Sequence, residues 1–231
     1  MKHEKLYCSI FYEALQQLEI NEDQRNNENA ISEALCPVLR DICFKHERDV
    51  RTPKWEAPNQ PANRDELKGG KIRMTPDFTC NFLNSFPVSP ETYEIPFQIE
   101  CKRLGKTVGS WNLSKNYMAN GINRFDCKTH EYGKRAPSGM MIGYIVNMEQ
   151  TAILEAVNKY IPDEQLKLKF EFTQKVVSCE QNLNRKHVKP SEFKIIHLWT
   201  DLRIRNMNNT NMLSLEFPYE QKSIDTESFP P

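Results

Sequence analysis

The chain has 231 residues, with 31 Lys and Arg against 31 Asp and Glu, and is 39% hydrophobic and 27% charged. That length suits one sizeable core, and the balance of apolar and charged residues excludes a disordered polymer. No apolar run approaches the roughly 20 residues that span a bilayer, the longest being Gly139 to Met148. The opening Met-Lys-His-Glu builds no apolar signal-peptide region, so no leader and no membrane partner are expected.

In chain order, residues 4–19 carry Leu6, Ile10, Phe11, Ala14, Leu15 and Leu18 at helical spacing. A second helix is expected over 27–45, with Ile31, Leu35, Val38, Leu39 and Ile42 on one stripe and Pro37 kinking it or shifting its boundary. Residues 51–70 are rich in Pro, Asn and Gly and read as a long loop, with Trp55 in it as a groove-contact candidate. Ile72 to Leu83 and Glu94 to Arg103 alternate as two strands of a hairpin. A helix over 112–127, a buried strand over 139–147, a helix near 150–160, a strand or helix near 165–179 and a strand over 194–202 complete the pattern. The tail from Pro218 is polar and is expected to be disordered. Domain organisation follows: one domain over 1–217, its core over about 25–147 and a C-terminal elaboration over 148–217.

The seven cysteines are scattered singly and form no Cys-x-x-Cys pair. Free thiols in a reducing cytoplasm fit that pattern better than a disulfide framework or a zinc knuckle. The zero net charge is unevenly spread. Residues 100–135 hold eight bases against three acids, a local surplus that fits a phosphate footprint or a solvated helix face.

Phosphodiester hydrolysis with a hard divalent cation needs carboxylate oxygens converging on one point. A lysine beside them offsets the anionic transition state. Two adjacent strands can supply this if one gives an Asp and the other an acid-x-Lys pair, because positions i and i+2 share a face. Acid-x-Lys occurs five times here: Glu66/Lys68, Glu100/Lys102, Asp126/Lys128, Glu192/Lys194 and Glu220/Lys222. Glu66 falls in the polar loop and Glu220 in the tail. Asp126 falls in an expected helix, where i and i+2 diverge. Asp163 before Glu192/Lys194 reads as a helix cap. The Glu100 copy alone sits mid-strand, with Gln98 on the same face, Phe97, Ile99 and Cys101 on the other, and Asp77 on the expected neighbour strand.

Met74-Thr-Pro-Asp77-Phe followed by Phe97-Gln-Ile-Glu100-Cys-Lys102-Arg-Leu resembles motifs II and III of the PD-(D/E)xK nuclease superfamily. The resemblance covers about residues 25–147. It implies an α/β, restriction-endonuclease-like core: a mixed central sheet of four or five strands flanked by helices. It further implies a Mg²⁺-dependent endonuclease acting on DNA, with Mn²⁺ substituting, catalysed by Asp77, Glu100 and Lys102. The backbone carbonyl of Cys101 would join Asp77 and Glu100 as a metal ligand.

The superfamily often adds a glutamate ligand from its first core helix, and Glu28 and Glu33 are the candidates. At 100° per residue Ile31, Leu35, Leu39 and Ile42 lie within about 60° of Glu28, whereas Glu33 points about 140° away, so Glu28 is chosen. Glu-Cys-Lys-Arg-Leu with Gly-Ile-Asn-Arg-Phe downstream resembles small restriction and phage-defence nucleases. Such an enzyme is expected as a homodimer or as a partner subunit; the alternative is a catalytically inactive nucleic-acid-binding or scaffold subunit. Gln98, Lys115, Tyr117 and Arg124 are candidates for nucleic-acid contact, His130 and Tyr132 for the border of the site. Arg103 reads as a salt bridge or fold contact rather than a catalytic group, and His197-Leu-Trp199-Thr-Asp201 as a core strand with satisfied polar groups.

Overall fold

The computed structural model describes residues 2–46, 50–58 and 74–203. Most of the expected 51–70 loop, the start of the first expected strand, the Glu66/Lys68 and Glu220/Lys222 pairs and the polar tail lie outside the described residues.

Helix α1 spans Lys2–Gln17. A short helix α2, Glu22–Arg25, is held by a capping box between Asn21 and Gln24. Helix α3 spans Glu28–Lys45, and Asn27 caps it by accepting from the backbone N–H groups of Asn29 and Ala30. Pro37 lies inside this helix and does not move its boundary, the second of the two outcomes expected of it. The carbonyl that Pro37 cannot bond belongs to Glu33, and both residues face solvent, where water can satisfy it.

Six strands follow: β1 Lys54–Trp55, β2 Phe78–Leu83, β3 Glu94–Leu104, β4 Ser138–Ile145, β5 Val176–Asn184 and β6 Glu192–Asp201. They form one mixed sheet in the order β1-β2-β3-β4-β6-β5. The β3–β4 and β4–β6 pairs are parallel and the others antiparallel. The sheet therefore has six strands, not the expected four or five. Trp55 is one source of the excess: it belongs to an edge strand against Phe78 rather than to an open loop. The last hairpin partner, β5, starts at Val176, later than the 165–179 reading.

Helices cover both faces. On one, Ile10, Phe11 and Leu15 of α1 and Ile31, Leu35, Leu39 and Ile42 of α3 pack against Phe97, Ile99, Ile142 and Tyr144. On the other, helix α4, Leu113–Ala119, and helix α5, Gln150–Asn158, meet Leu104, Met141, Ile145, Ile195 and Trp199 through Tyr117, Ile153 and Val157. Every residue of β4 is buried, as a central strand covered on both sides requires. No described helix is long and apolar enough to cross a membrane.

The helix expected over 112–127 is split. α4 stops at Ala119 and a 3-10 turn, Ile122–Asp126, resumes after Gly121. A side chain at Gly121 would stand 2.3 Å from the Tyr117 carbonyl and 2.5 Å from Met141 Cε, so the chain turns where only glycine fits.

Gly143, level with Lys102 across the β3–β4 ladder, has the same tightness: a Cβ there would meet Leu104 Cδ1 at 2.4 Å and the Trp199 ring at 2.6 Å. Overpacking at this row is expected to cost Gly143→Ala about 1–3 kcal/mol. Urea titration checks this; an unchanged midpoint would contradict the packing described.

Candidate active site

The site forms where the sheet leaves one edge of β3 open. β2 begins pairing at Phe78, opposite Ile99. One step further along the same register sets Asp77 level with Glu100. Beyond Ile99 the β2-side edge of β3 has no strand partner among the described residues. Backbone N–H groups of alternate residues point to that edge and must find acceptors. Carboxylates supply them. The Cys101 N–H donates to Asp77 Oδ2 at 2.5 Å, and the Arg103 N–H donates to Glu28 Oε2 at 2.8 Å. Glu28 comes from the first turn of α3, and the exposed Glu33 stays away from the edge.

Lys102 ties these groups together. Its ammonium donates to Glu100 Oε1 (2.6 Å), the Cys101 carbonyl (2.7 Å) and Glu28 Oε1 (2.9 Å), which uses all three of its protons. Glu100 is fully buried and its Oε1 also accepts from Arg124 Nη1, delivered by the 3-10 turn after Gly121. Its other oxygen, Oε2, is buried with no hydrogen-bond partner.

Three carboxylates thus share two cations, Lys102 and Arg124. Burial, and then the neighbouring Asp77, push the Glu100 carboxyl up to about 8 against the pull of Lys102 and Arg124. Burial also raises Asp77, with Lys102 opposing. Burial disfavours the charged Lys102, yet Glu100, Glu28 and Asp77 outweigh it and hold the lysine above its ordinary value. A proton retained on Glu100 is how the cluster balances its carboxyls against the two cations.

The donors near the open edge are all oxygens: the Asp77 and Glu100 carboxylates and the Cys101 carbonyl, a hard set that suits Mg²⁺. The Glu100 Oε2, buried without a hydrogen-bond partner, is a free oxygen that such a cation could take. Among the described residues no group of three or more His, Cys, Asp or Glu side chains forms a metal cage, so Glu28 is not gathered with Asp77 and Glu100 into one. Mg²⁺ commonly takes one or two carboxylates and completes its shell with water, so two carboxylates and a carbonyl still fit.

The remaining expected contacts fall out differently. Tyr117 is fully buried, accepts from Trp199 Nε1 (2.9 Å) and shares a hydrogen bond with His197 Nδ1 (2.8 Å), so it cannot reach a phosphate. Gln98 is also buried and accepts from the Gly133 N–H at 2.5 Å, so it anchors a loop rather than a water at the site. Lys115 is exposed on α4 and has no tie to the carboxylates. Arg124 is brought in, as a partner of Glu100. Arg103 makes the fold contact expected of it, to the Asn26 carbonyl. The His197 ring is satisfied on one nitrogen only, since Nε2 is buried without a partner, and burial pushes its pKa down to about 3. The rival Asp163 caps a 3-10 turn by accepting from the Gln165 N–H, and Glu192 lies exposed at the start of β6.

Sequence reasoning missed Arg185. In an Asn-Arg-Lys-His run it reads as surface charge, yet it is 2% exposed and its guanidinium donates to the carbonyls of Phe125, Tyr132, Gly133 and Pro190. Comparison of the chain with family models, with curated proteins and with solved structures finds no match.

A titration follows from Glu100. Its carboxyl keeps a proton in the folded state between the ordinary 4.5 and about 8, where the unfolded chain has released it. Stability from this group is therefore full below about 4.5 and lost as pH rises through about 8. In divalent-free buffer, the urea midpoint of the native chain is expected to fall more steeply from pH 5 to 8 than that of Glu100→Gln. Parallel slopes would contradict the raised carboxyl.

Proposed function

We propose that this chain is a Mg²⁺-dependent endonuclease that hydrolyses phosphodiester bonds in DNA, built on a restriction-endonuclease-like core of the PD-(D/E)xK type. A restriction or anti-phage defence role is part of the same reading. One observation carries it: Asp77, Glu100 and Lys102, selected by motif order, meet where β3 has lost its β2 partner, with the second Glu100 oxygen buried and unpartnered. The antiparallel hairpin β2–β3, followed by a helical connection to the parallel strand β4, is compatible with that core.

In this reading Asp77, Glu100 and the Cys101 carbonyl would hold the cation. Such an ion, when bound, would supply Lewis-acid activation of water and charge neutralisation at the phosphate. Lys102 places a positive charge next to the scissile phosphate, where it stabilises the anionic transition state. Glu28 acts through Lys102: it fixes the ammonium by one oxygen and the strand edge by the other. Arg124 limits the charge on Glu100 from the side of α4. By family resemblance the products carry 5′-phosphate and 3′-hydroxyl ends.

A second reading, a catalytically inactive scaffold or nucleic-acid-binding subunit, has one observation in its favour: the Lys102 ammonium bridges Glu100 and Glu28 as a structural ion pair would. Plasmid cleavage separates the two. With Mg²⁺ or Mn²⁺ the native chain is expected to nick or linearise DNA, and Asp77→Ala, Glu100→Ala and Lys102→Ala are expected to lose at least about 100-fold in rate. Cleavage unchanged in Lys102→Ala, or no cleavage of any nucleic acid by the native chain, sinks the assignment.

A further inference from the structure

Two loops far apart in sequence meet beside the site. Residues 126–137 lead into β4 and residues 185–191 lead into β6, and because these strands are parallel neighbours the loops arrive at the same end of the sheet. They are fastened to each other. The buried Arg185 guanidinium donates to the carbonyls of Tyr132 and Gly133 in one loop, of Phe125 just before it and of Pro190 in the other loop, and lies 3.8 Å over the Phe193 ring. Asp126 accepts from the backbone N–H groups of Lys186 and His187, at 2.9 and 2.8 Å. The Arg135 N–H donates to the Lys189 carbonyl at 3.2 Å.

That fastening leaves a basic surface. Lys128, Lys186, His187 and Lys189 are exposed, with Lys134 and Arg135 half-buried beside them. The acids of the same stretches are mostly engaged. Asp126 is spent on the loop backbone, and Glu131 is paired with Lys134 at 3.2 Å, which leaves Glu192 as the exposed carboxylate at the start of β6. The surface is also tied to the strand that carries the site. The Gly133 N–H bonds Gln98, two residues and about 7 Å along β3 from Glu100, and Arg124, just before the first loop, bonds Glu100.

We propose that the paired loops form a docking ledge for the phosphate backbone of duplex DNA, with Lys128, Lys186 and Lys189 as its exposed contacts and Arg185 as the positioning residue that holds the two loops in register. The nuclease reading supplies the identity of the polyanion, but binding does not depend on cleavage. Phosphate contacts of this kind set register and affinity rather than sequence preference. Charge on a rigid, pre-assembled surface binds phosphate without first ordering a loop, which is what the Arg185 and Asp126 bonds provide.

The test is fluorescence anisotropy of a labelled 20-base-pair duplex in EDTA over a range of salt concentrations, with cleavage in Mg²⁺ read separately. Compared are the native chain, the triple variant Lys128→Ala/Lys186→Ala/Lys189→Ala, and a control triple variant at exposed lysines elsewhere, Lys5→Ala/Lys159→Ala/Lys169→Ala, which removes the same net charge. The ledge variant is expected to bind at least 10-fold more weakly. Its slope of log affinity against log salt should be shallower by about 2 to 3, near 0.9 per lost phosphate contact. The control should keep the native slope. All six side chains are exposed, so thermal midpoints should stay near native. Equal weakening in both variants, an unchanged slope in the ledge variant, or no duplex binding by the native chain overturns the ledge. Native binding lost in the ledge variant, with no cleavage by the native chain, keeps the ledge and overturns the nuclease reading alone.

Discussion

The site depends on a backbone problem. β2 ends its pairing with β3 at Phe78 and Ile99, so the next N–H groups on that edge, Cys101 and Arg103, need acceptors that no described strand supplies. Asp77 and Glu28 supply them with carboxylates rather than neutral groups. Negative charge is therefore drawn to the stretch of β3 from which Glu100 and Lys102 project. The Lys102 ammonium then satisfies only part of it. Hydrogen-bond satisfaction of an open sheet edge and assembly of an electrostatic site are here the same set of contacts.

This coupling explains why Glu100 is the most strained group of the cluster. It is fully buried, both available cations bind its Oε1, and its Oε2 binds nothing. Burial of an unsatisfied carboxyl oxygen opposes folding. A cation arriving at the open edge would relieve that penalty and the raised acidities of Asp77 and Glu100 together. Glu28, by contrast, has both oxygens engaged, which suits a group that positions Lys102 more than one that receives an ion.

Much of this was legible in the sequence because it rests on simple periods. The two-residue alternation of Phe97, Ile99 and Cys101 against Gln98, Glu100 and Lys102 predicts the two faces of β3. The 3.6-residue period of α3 separates Glu28 from Glu33. What was not legible depends on contacts between distant segments. Arg124 reaches Glu100 only because Gly121 breaks the helix, which the apolar pattern of 112–127 does not announce. Tyr117 looked like a surface hydroxyl until the Trp199 and His197 side chains of β6 closed over it. Gln98 shares the polar face of β3, but the 126–137 loop folds over it and takes its oxygen. Arg185 gave no signal at all, since its acceptors are four backbone carbonyls in or beside two loops.

The central claim, that Asp77 and Glu100 share one hard cation at the open edge of β3, is tested most directly by isothermal titration of the purified chain with Mg²⁺ and Mn²⁺. One ion per chain should bind, with protons released on binding near pH 7 as the raised carboxyls ionise, and Asp77→Asn should abolish the heat while leaving the chain folded. Binding that survives Asp77→Asn with unchanged affinity, or no ion bound by the native chain at millimolar metal, would contradict it.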